Sequence, residues 1–390
     1  MPGLRVLIMC ADIGAGHLTV ARSLAAQLEG RPEIEAVGLT EDLSVLGPRF
    51  GPFMTEGFHT HMERIGWSYN LAYRGFFAPR LPRAVGQLAL AAFGHRGLAR
   101  TIRAFGADVV VTEYPVLSAA LGQLKRLGRF PLPLISSISD PAGLYYWAHA
   151  GVDMHLLAWP EARAEVDRIA GPGKAIAVQP LVDPRFLERP SRSASRGNVA
   201  RQLQIPLKGG RPLVLVSGGR VGMGDLAGAV AVSAEHAPDA AIVVLAGHNA
   251  DAEARLTARF VDVPQVRVLG FSDRMPTLLT AADALVHTTG GTTALEARLI
   301  GCPLINYGSA VPHVRAHAEA LGRTGLAQAA LNRSELGSAL ERALAEGRRP
   351  PLDVSALPLA ADVVIATALA ARTARAGSHR TPGRAGSPPP

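Results

Sequence analysis

The side chains and turns of this sequence that are able to do chemistry cluster in a few short stretches. The first is Asp12 to His17, DIGAGH, at the junction of an apolar strand pattern and a helical one. Gly14 and Gly16 permit a tight backbone approach, and His17 is an imidazole, the side chain that titrates near neutral pH as a general base must. The second is Asp140 in SDPAGLYYWAH, at the end of another strand pattern. It is a candidate base or orienting carboxylate, and equally a turn aspartate before Pro141. The third is Ser217 to Gly224, SGGRVGMG, where Gly218, Gly219 and Gly222 let the backbone approach a pyrophosphate and Arg220 adds a charge. The fourth is Val286 to Gly301, VHTTGGTTALEARLIG, a strand end running through Gly290 and Gly291 into a helix opened by Thr292 and Thr293. The free N–H groups and positive end of such a helix suit a phosphate, and Glu296 follows closely enough to accept hydrogen bonds from a ribose. The other reading of these residues is a glycine turn with a capping box from Thr293 to Glu296.

Two glycine loops in one half, each after a predicted parallel strand, are better evidence of a ligand site than either alone. Between them, VLGFSDRMPTLLTAAD offers Phe271 and Met275 as an apolar slot for a base, with the backbone at Phe271 and Ser272 reading its edge. Ordinary core packing of Phe271 and Met275 is the alternative. The DIGAGH turn lacks the third glycine of a dinucleotide fingerprint, which argues against nicotinamide or flavin.

The elements that position these groups are short β-type runs alternating with alanine- and leucine-rich helical stretches, an α/β pattern of parallel sheets. One series contains strands at Leu4 to Ala11, Ala107 to Thr112 and Leu132 to Ser137, with a helix over His17 to Leu28. A second contains Pro212 to Ser217, Ala241 to Ala246, Val266 to Leu269, Ala284 to His287 and Pro303 to Asn306. The stretch DPRFLERPSRSASRG between them has the composition of a linker. The expected organisation is an N-terminal domain over 1–186, a linker over 187–200, a C-terminal domain over 201–375 and a disordered tail over 376–390.

The chain has 390 residues, enough for two cores, and 48% of them are apolar. Cys10 and Cys302 stand far apart in apolar runs without metal-ligand spacing, so both are expected to be buried packing residues, with no metal site. No secretory signal pattern opens the sequence and no apolar run approaches the length of a bilayer span, so a cytoplasmic protein, peripheral at most on the inner membrane face, is expected. A net charge of +8 favours an anionic partner. Nucleic acid is disfavoured, because no recognition motif accompanies the charge.

The succession VSGGRVGMG, LAGHN, VLGFSDRMPTLLTAAD, HTTGGTTALEA and GCPLI resembles the C-terminal domain of the glycosyltransferases that include monogalactosyldiacylglycerol synthases, processive diacylglycerol glucosyltransferases and the lipid-linked N-acetylglucosaminyltransferase of peptidoglycan synthesis. The resemblance implies the GT-B architecture, two Rossmann-like domains with parallel sheets facing a cleft. It implies an inverting transfer of a hexose or N-acetylhexosamine from a UDP-sugar, a co-substrate rather than a bound cofactor, to a hydroxyl acceptor of the diacylglycerol lipid type, with no bound metal. It assigns Glu296 to the ribose and Gly218, Gly219 and Gly222 to the diphosphate. It aligns DIGAGH with a glycine-rich turn whose histidine, here His17, or a nearby carboxylate serves the acceptor hydroxyl, and it aligns Trp147 and His149 with an acceptor-side Trp-x-His element. Where relatives carry a Gln-Glu or Gln-Gln pair for the donor sugar, this chain has Pro312, His313 and, further on, His317; Gln179 stands where a glycine is usual.

Residues 49–103 hold eight arginines against Glu56 and Glu63, interleaved with aromatic residues. This mixture suits an anionic membrane surface, or a solvated helical pair with a buried aromatic seam. Competing functions on the same fold are a soluble transferase of secondary metabolites, a nucleotide-sugar epimerase, which needs active-site carboxylates, and a non-catalytic nucleotide-sugar binder.

Overall fold

A computed structural model of the chain describes residues 3–11, 15–41, 43–47, 79–188, 190–207, 209–308 and 312–378. In the first half, β1 (Leu4–Cys10), α1 (Ala15–Leu28), β2 (Ile34–Thr40), α2 (Arg80–Phe105), β3 (Val109–Glu113), α3 (Pro115–Arg126), β4 (Leu134–Ile138), β5 (Met154–Leu157), α4 (Arg163–Ala170) and β6 (Ala175–Ala177) follow one another. The strands form a parallel sheet in the order β2-β1-β3-β4-β5-β6. Every residue of β3 and β4 is buried, because a parallel strand covered by helices has two apolar faces. The chain leaves β1 toward β2 and returns on the other side of β1 as β3. The crevice at the carboxyl ends of β1 and β3 is therefore the switch point at which open α/β sheets bind ligands.

The second half repeats the plan. It contains α5 (Arg192–Leu203), β7 (Leu213–Ser217), α6 (Leu226–His236), β8 (Ala241–Leu245), α7 (Ala250–Arg259), β9 (Val266–Leu269), α8 (Met275–Ala281), β10 (Ala284–His287), α9 (Gly291–Leu299), β11 (Leu304–Tyr307), α10 (Pro312–Arg323), β12 (Gln328–Ala330), α11 (Arg333–Glu346) and α12 (Ala360–Ser378). The sheet order is β12-β11-β10-β7-β8-β9, all parallel, with its switch point between β7 and β10. Both glycine loops begin there.

Two expected boundaries are corrected. Most of the presumed linker is the helix α5: Ser191 caps it by accepting from the Ala194 N–H, Val199 is buried in the core, and Arg196 reaches Asp283 at 2.9 Å. Arg192 and Arg196 thus serve ion pairing with Asp283, and the few apolar residues of the helix form one buried face. The last helix, α12, leaves the second half and packs on the first. Ala360, Ala361, Val364, Ile365 and Ala368 join the cluster of Leu4, Leu24 and Leu28, and Asp362 pairs with Arg31 at 2.6 Å. An apolar stripe at helical spacing needs a covering partner, and α1 supplies it. The helix also continues to Ser378, into the expected tail.

Gln179 is explained by the same return. Its N–H donates to Pro358 O at 2.9 Å and its amide to Leu357 O at 3.0 Å, tying the chain that comes back from the second half. Trp147, Trp159, Leu295 and Leu299 share one apolar cluster, so the halves meet through packed side chains. Arg298 adds a two-pronged pair with Glu161, at 2.8 and 3.1 Å. Cys10 and Cys302 are both buried, as their apolar surroundings imply. Among the described residues no helix is long and apolar enough to cross a membrane.

Candidate active site

Across the cleft the amino ends of α1 and α9 face each other. A Cβ built on Gly16 would stand 2.3 Å from Thr292 Oγ1, so only glycine allows this approach. Asp12, Ile13 and Gly14 lie outside the described residues. His17, in the first turn of α1, keeps its side chain 19% exposed. Tyr114 meets its ring edge-on, with centroids 5.2 Å apart, and Trp147 lies at 5.5 Å.

The carboxylate beside His17 is Glu113, not Asp140: Glu113 Oε1 lies 3.6 Å from His17 Nδ1. Glu113 ends β3 and is 1% exposed, and neither of its oxygens makes a hydrogen bond among the described residues. Burial pushes its carboxyl up from the usual range, and His17, Ser137 and Ser139 only partly counter that. A buried carboxyl held next to an imidazole is the arrangement that shares and moves a proton. Asp140 instead accepts from the buried Trp147 indole at 2.9 Å and stands 3.9 Å from Nε2 of the buried His317 on α10, across the cleft. Of the two histidines that replace the expected carboxamides, His317 is thus brought to the cleft; the side chain of His313 lies outside the described residues.

His149 does not line the site. It is buried against Gly122 of α3, its Nδ1 accepts from the Gly151 N–H at 3.0 Å, and its backbone N–H donates to His155. Burial, then Arg126, His155 and Lys174, lower its pKa to about 4. It is a neutral core residue.

In the second half Gly222 has a φ of +63, and a Cβ there would meet Ala246 O at 2.3 Å, so the loop after β7 can be drawn this tightly only by glycine. Thr288, after β10, bridges the loops by donating to Met223 O at 2.5 Å. The amino end of α9 has Gly290 at its cap and no capping side chain, which removes the capping-box reading. Its first N–H groups are therefore available to an anion. Glu296 lies one turn inside and is 9% exposed. Burial, with Asp183 adding to it, raises its pKa to about 8. Ionising a buried carboxyl is costly, and hydroxyl donors from a ligand would offset that cost.

Phe271 is not a core residue. It is 55% exposed and stacks on His248, with centroids 4.1 Å apart and planes within 12°. Met275 packs toward the core instead, so the two do not form one slot. Ser272 Oγ accepts from the Arg274 N–H and shapes the turn beneath Phe271. Arg220 is exposed on its loop, where its carbonyl accepts from the His248 N–H.

Sequence reasoning missed Glu113 and His248. For Glu113 a signal existed, a charge closing the wholly apolar run Val109–Val111 at a strand end; for His248 only the short loop LAGHN marked the place.

Residues 213–367 match the glycosyltransferase family 28 C-terminal domain, the stretch that holds both glycine loops and Glu296. Over 320 residues the chain is 21% identical to the processive diacylglycerol beta-glucosyltransferase of Bacillus cytotoxicus, covering 78% of this chain and 76% of that one. MurG of Acinetobacter baumannii has the same fold, with a TM-score of 0.52 at 15% identity, over 94% of this chain and 99% of the other. The UDP-GlcNAc 2-epimerase of Neisseria meningitidis also shares it, with a TM-score of 0.59 at 12% identity, over 94% and 100%. With that match over its second half and two Rossmann-like parallel sheets facing across a cleft, the chain has the GT-B fold and carries a glycosyltransferase family 28 C-terminal domain.

Proposed function

We propose that the protein transfers a hexose or N-acetylhexosamine from a UDP-sugar to a lipid hydroxyl of the diacylglycerol type, with inversion at the anomeric carbon. The observation that carries this reading is the pairing of His17 with buried Glu113 directly opposite the uncapped amino end of α9. The glycine loop Gly218 to Gly222, the start of α9 and Arg220 meet the diphosphate charge in place of a metal; Glu296 accepts from the ribose hydroxyls and Phe271 covers the base. The acceptor hydroxyl then gives its proton to His17 Nε2 as its oxygen bonds to the anomeric carbon, and the bond from that carbon to the diphosphate breaks on the opposite face. Glu113, at Nδ1, balances the imidazolium charge. Trp147 and the Asp140–His317 pair border the sugar. The reading predicts transfer from a UDP-sugar to diacylglycerol in mixed micelles, with the opposite anomer in the product by NMR; a product of retained configuration would remove it.

Glu113 also favours a second reading, epimerisation of a UDP-sugar, since that reaction needs carboxyl groups in the cleft. Incubating a UDP-sugar in D2O without any acceptor separates the two: deuterium entering the sugar ring supports epimerisation, and its absence, together with transfer in the mixed-micelle assay, supports the first.

The proposed lipid acceptor gives α2 a role. Leu81, Val85 and Leu88, spaced by helical turns, are 81%, 68% and 47% exposed, and Phe93 is 80% exposed. Arg96, Arg100 and Arg103 follow on the exposed side, and the helix contains no acidic residue. An apolar face continued by arginines fits an anionic bilayer. The remainder of the basic stretch, residues 49–78, lies outside the described residues. Binding to phosphatidylglycerol vesicles that falls with salt, and falls further in Leu81→Glu/Phe93→Glu, is the expected result.

A further inference from the structure

His287 is used by none of the roles above. It ends β10, is 2% exposed, and lies in register with Ser217 of β7 and Asn306 of β11. Its Nδ1 stands 3.2 Å from the carbonyl oxygen of Ser217, where the first glycine loop begins. Its Nε2 stands 3.2 Å from the carbonyl oxygen of Gly290, where the second begins. The ring therefore sits between the two loops with both nitrogens facing acceptors. A neutral imidazole has one N–H and serves only one of them. Thr289 Oγ1 lies 3.3 Å from Nε2 as well, so whichever nitrogen carries the single proton, one of the two carbonyls faces a lone pair. Only the imidazolium donates to both carbonyls.

Burial keeps the ring neutral at rest and lowers its pKa to about 4, against partial compensation from the Gly290 and Ser217 carbonyls. The surrounding elements carry ionisable groups: Arg220 and Asp225 after β7, Glu296 and Arg298 on α9, Tyr307 on β11, Arg333 and Glu335 on α11. None of them contributes to that shift. A bound diphosphate alters the balance, because its negative charges arrive at the loops the ring spans, in surroundings that screen them poorly.

We propose that His287 takes up a proton when a nucleotide-sugar diphosphate binds, joining the two glycine loops as a cationic clasp and opposing the charge of the departing diphosphate. This rests on the donor site assigned under the proposed function.

UDP-glucose is the probe, since neither of its phosphates titrates near neutrality. Calorimetry in buffers of different ionisation enthalpy gives the protons exchanged per ligand for wild type and for His287→Asn, whose amide keeps the donor to Ser217 and cannot titrate. Ionisation of Glu296 on binding would release a proton from both proteins, so the difference between them is the readout. Wild type is expected to take up more, by a fraction approaching one proton, and its Kd should tighten roughly threefold to tenfold more than the variant's between about pH 7.5 and 6. Equal proton numbers overturn the proposal. Should the variant not fold, imidazole nitrogen NMR of wild type decides: both His287 nitrogens protonated with UDP-glucose bound supports the clasp, and one remaining unprotonated overturns it. If wild type binds no UDP-sugar at all, it is the donor-site reading that fails.

Discussion

At the switch point of the first sheet the groups that face the cleft are side chains, His17 and Glu113 with Trp147 and Asp140 beside them. At the switch point of the second sheet they are chiefly backbone N–H groups, from a glycine loop and an uncapped helix, with Glu296 set just behind. Under the proposed function the difference follows from what each half would hold. A diphosphate is met well by fixed N–H dipoles, which need no proton bookkeeping, whereas an attacking hydroxyl must lose a proton to a group of suitable basicity. Two sheets of the same plan thus present opposite chemistry to one cleft.

That division of labour can be broken by substitution. The largest effect is expected for His17→Ala, a fall in kcat of about a thousandfold with the affinity for UDP unchanged. Weakened UDP binding in that variant would show that the first half also holds the donor. Next, Glu296→Ala should weaken UDP affinity by roughly ten- to a hundredfold, measured by calorimetry, while turnover at saturating donor stays within about tenfold. A smaller loss, about tenfold in kcat at constant KM, is expected for Glu113→Gln, because the amide cannot balance an imidazolium. An unchanged kcat would mean that Glu113 only packs against His17.

The same division explains what the sequence made legible. Backbone sites require glycine at fixed places in a strand-turn-helix, so the loops at Gly218 to Gly222 and at Gly290 and Gly291 could be read directly, and strands Val266–Leu269 and Ala284–His287 were bounded correctly by their apolar runs. Side-chain sites are assembled by the fold. Glu113 is 96 residues from His17, and only the crossing of the chain from β2 to β3 brings them together. His149 was misread for the converse reason: the Trp-x-His spacing gives no indication that its ring turns into the core against Gly122 while Trp147 reaches the cleft. The helix α5 was hidden by arginine and serine composition, since its stability comes from Asp283 and the buried Val199 rather than from an apolar stripe. The return of α12 to the first half depends on a contact with α1 that no local pattern records.

The smallest effect sharpens the comparison without any substrate. Burial, with the Asp183 charge adding to it, raises the Glu296 pKa in the folded chain from 4.5 to about 8. Between those two values the unfolded chain ionises this carboxyl and the folded one does not, so the free protein loses stability as pH rises from about 4.5 to about 8 and no more above that. Glu296→Gln lacks the titration. Chemical denaturation should therefore find the variant close to wild type near pH 4.5 and more stable at pH 8, by a margin of up to about 4 kcal/mol. Saturating UDP should close the gap from the wild-type side, since ribose hydroxyls would satisfy the ionised carboxylate and only poorly the amide. A variant no more stable at pH 8 would mean that Glu296 already has its partners in the free protein, and the second half would then hold its donor by a different residue.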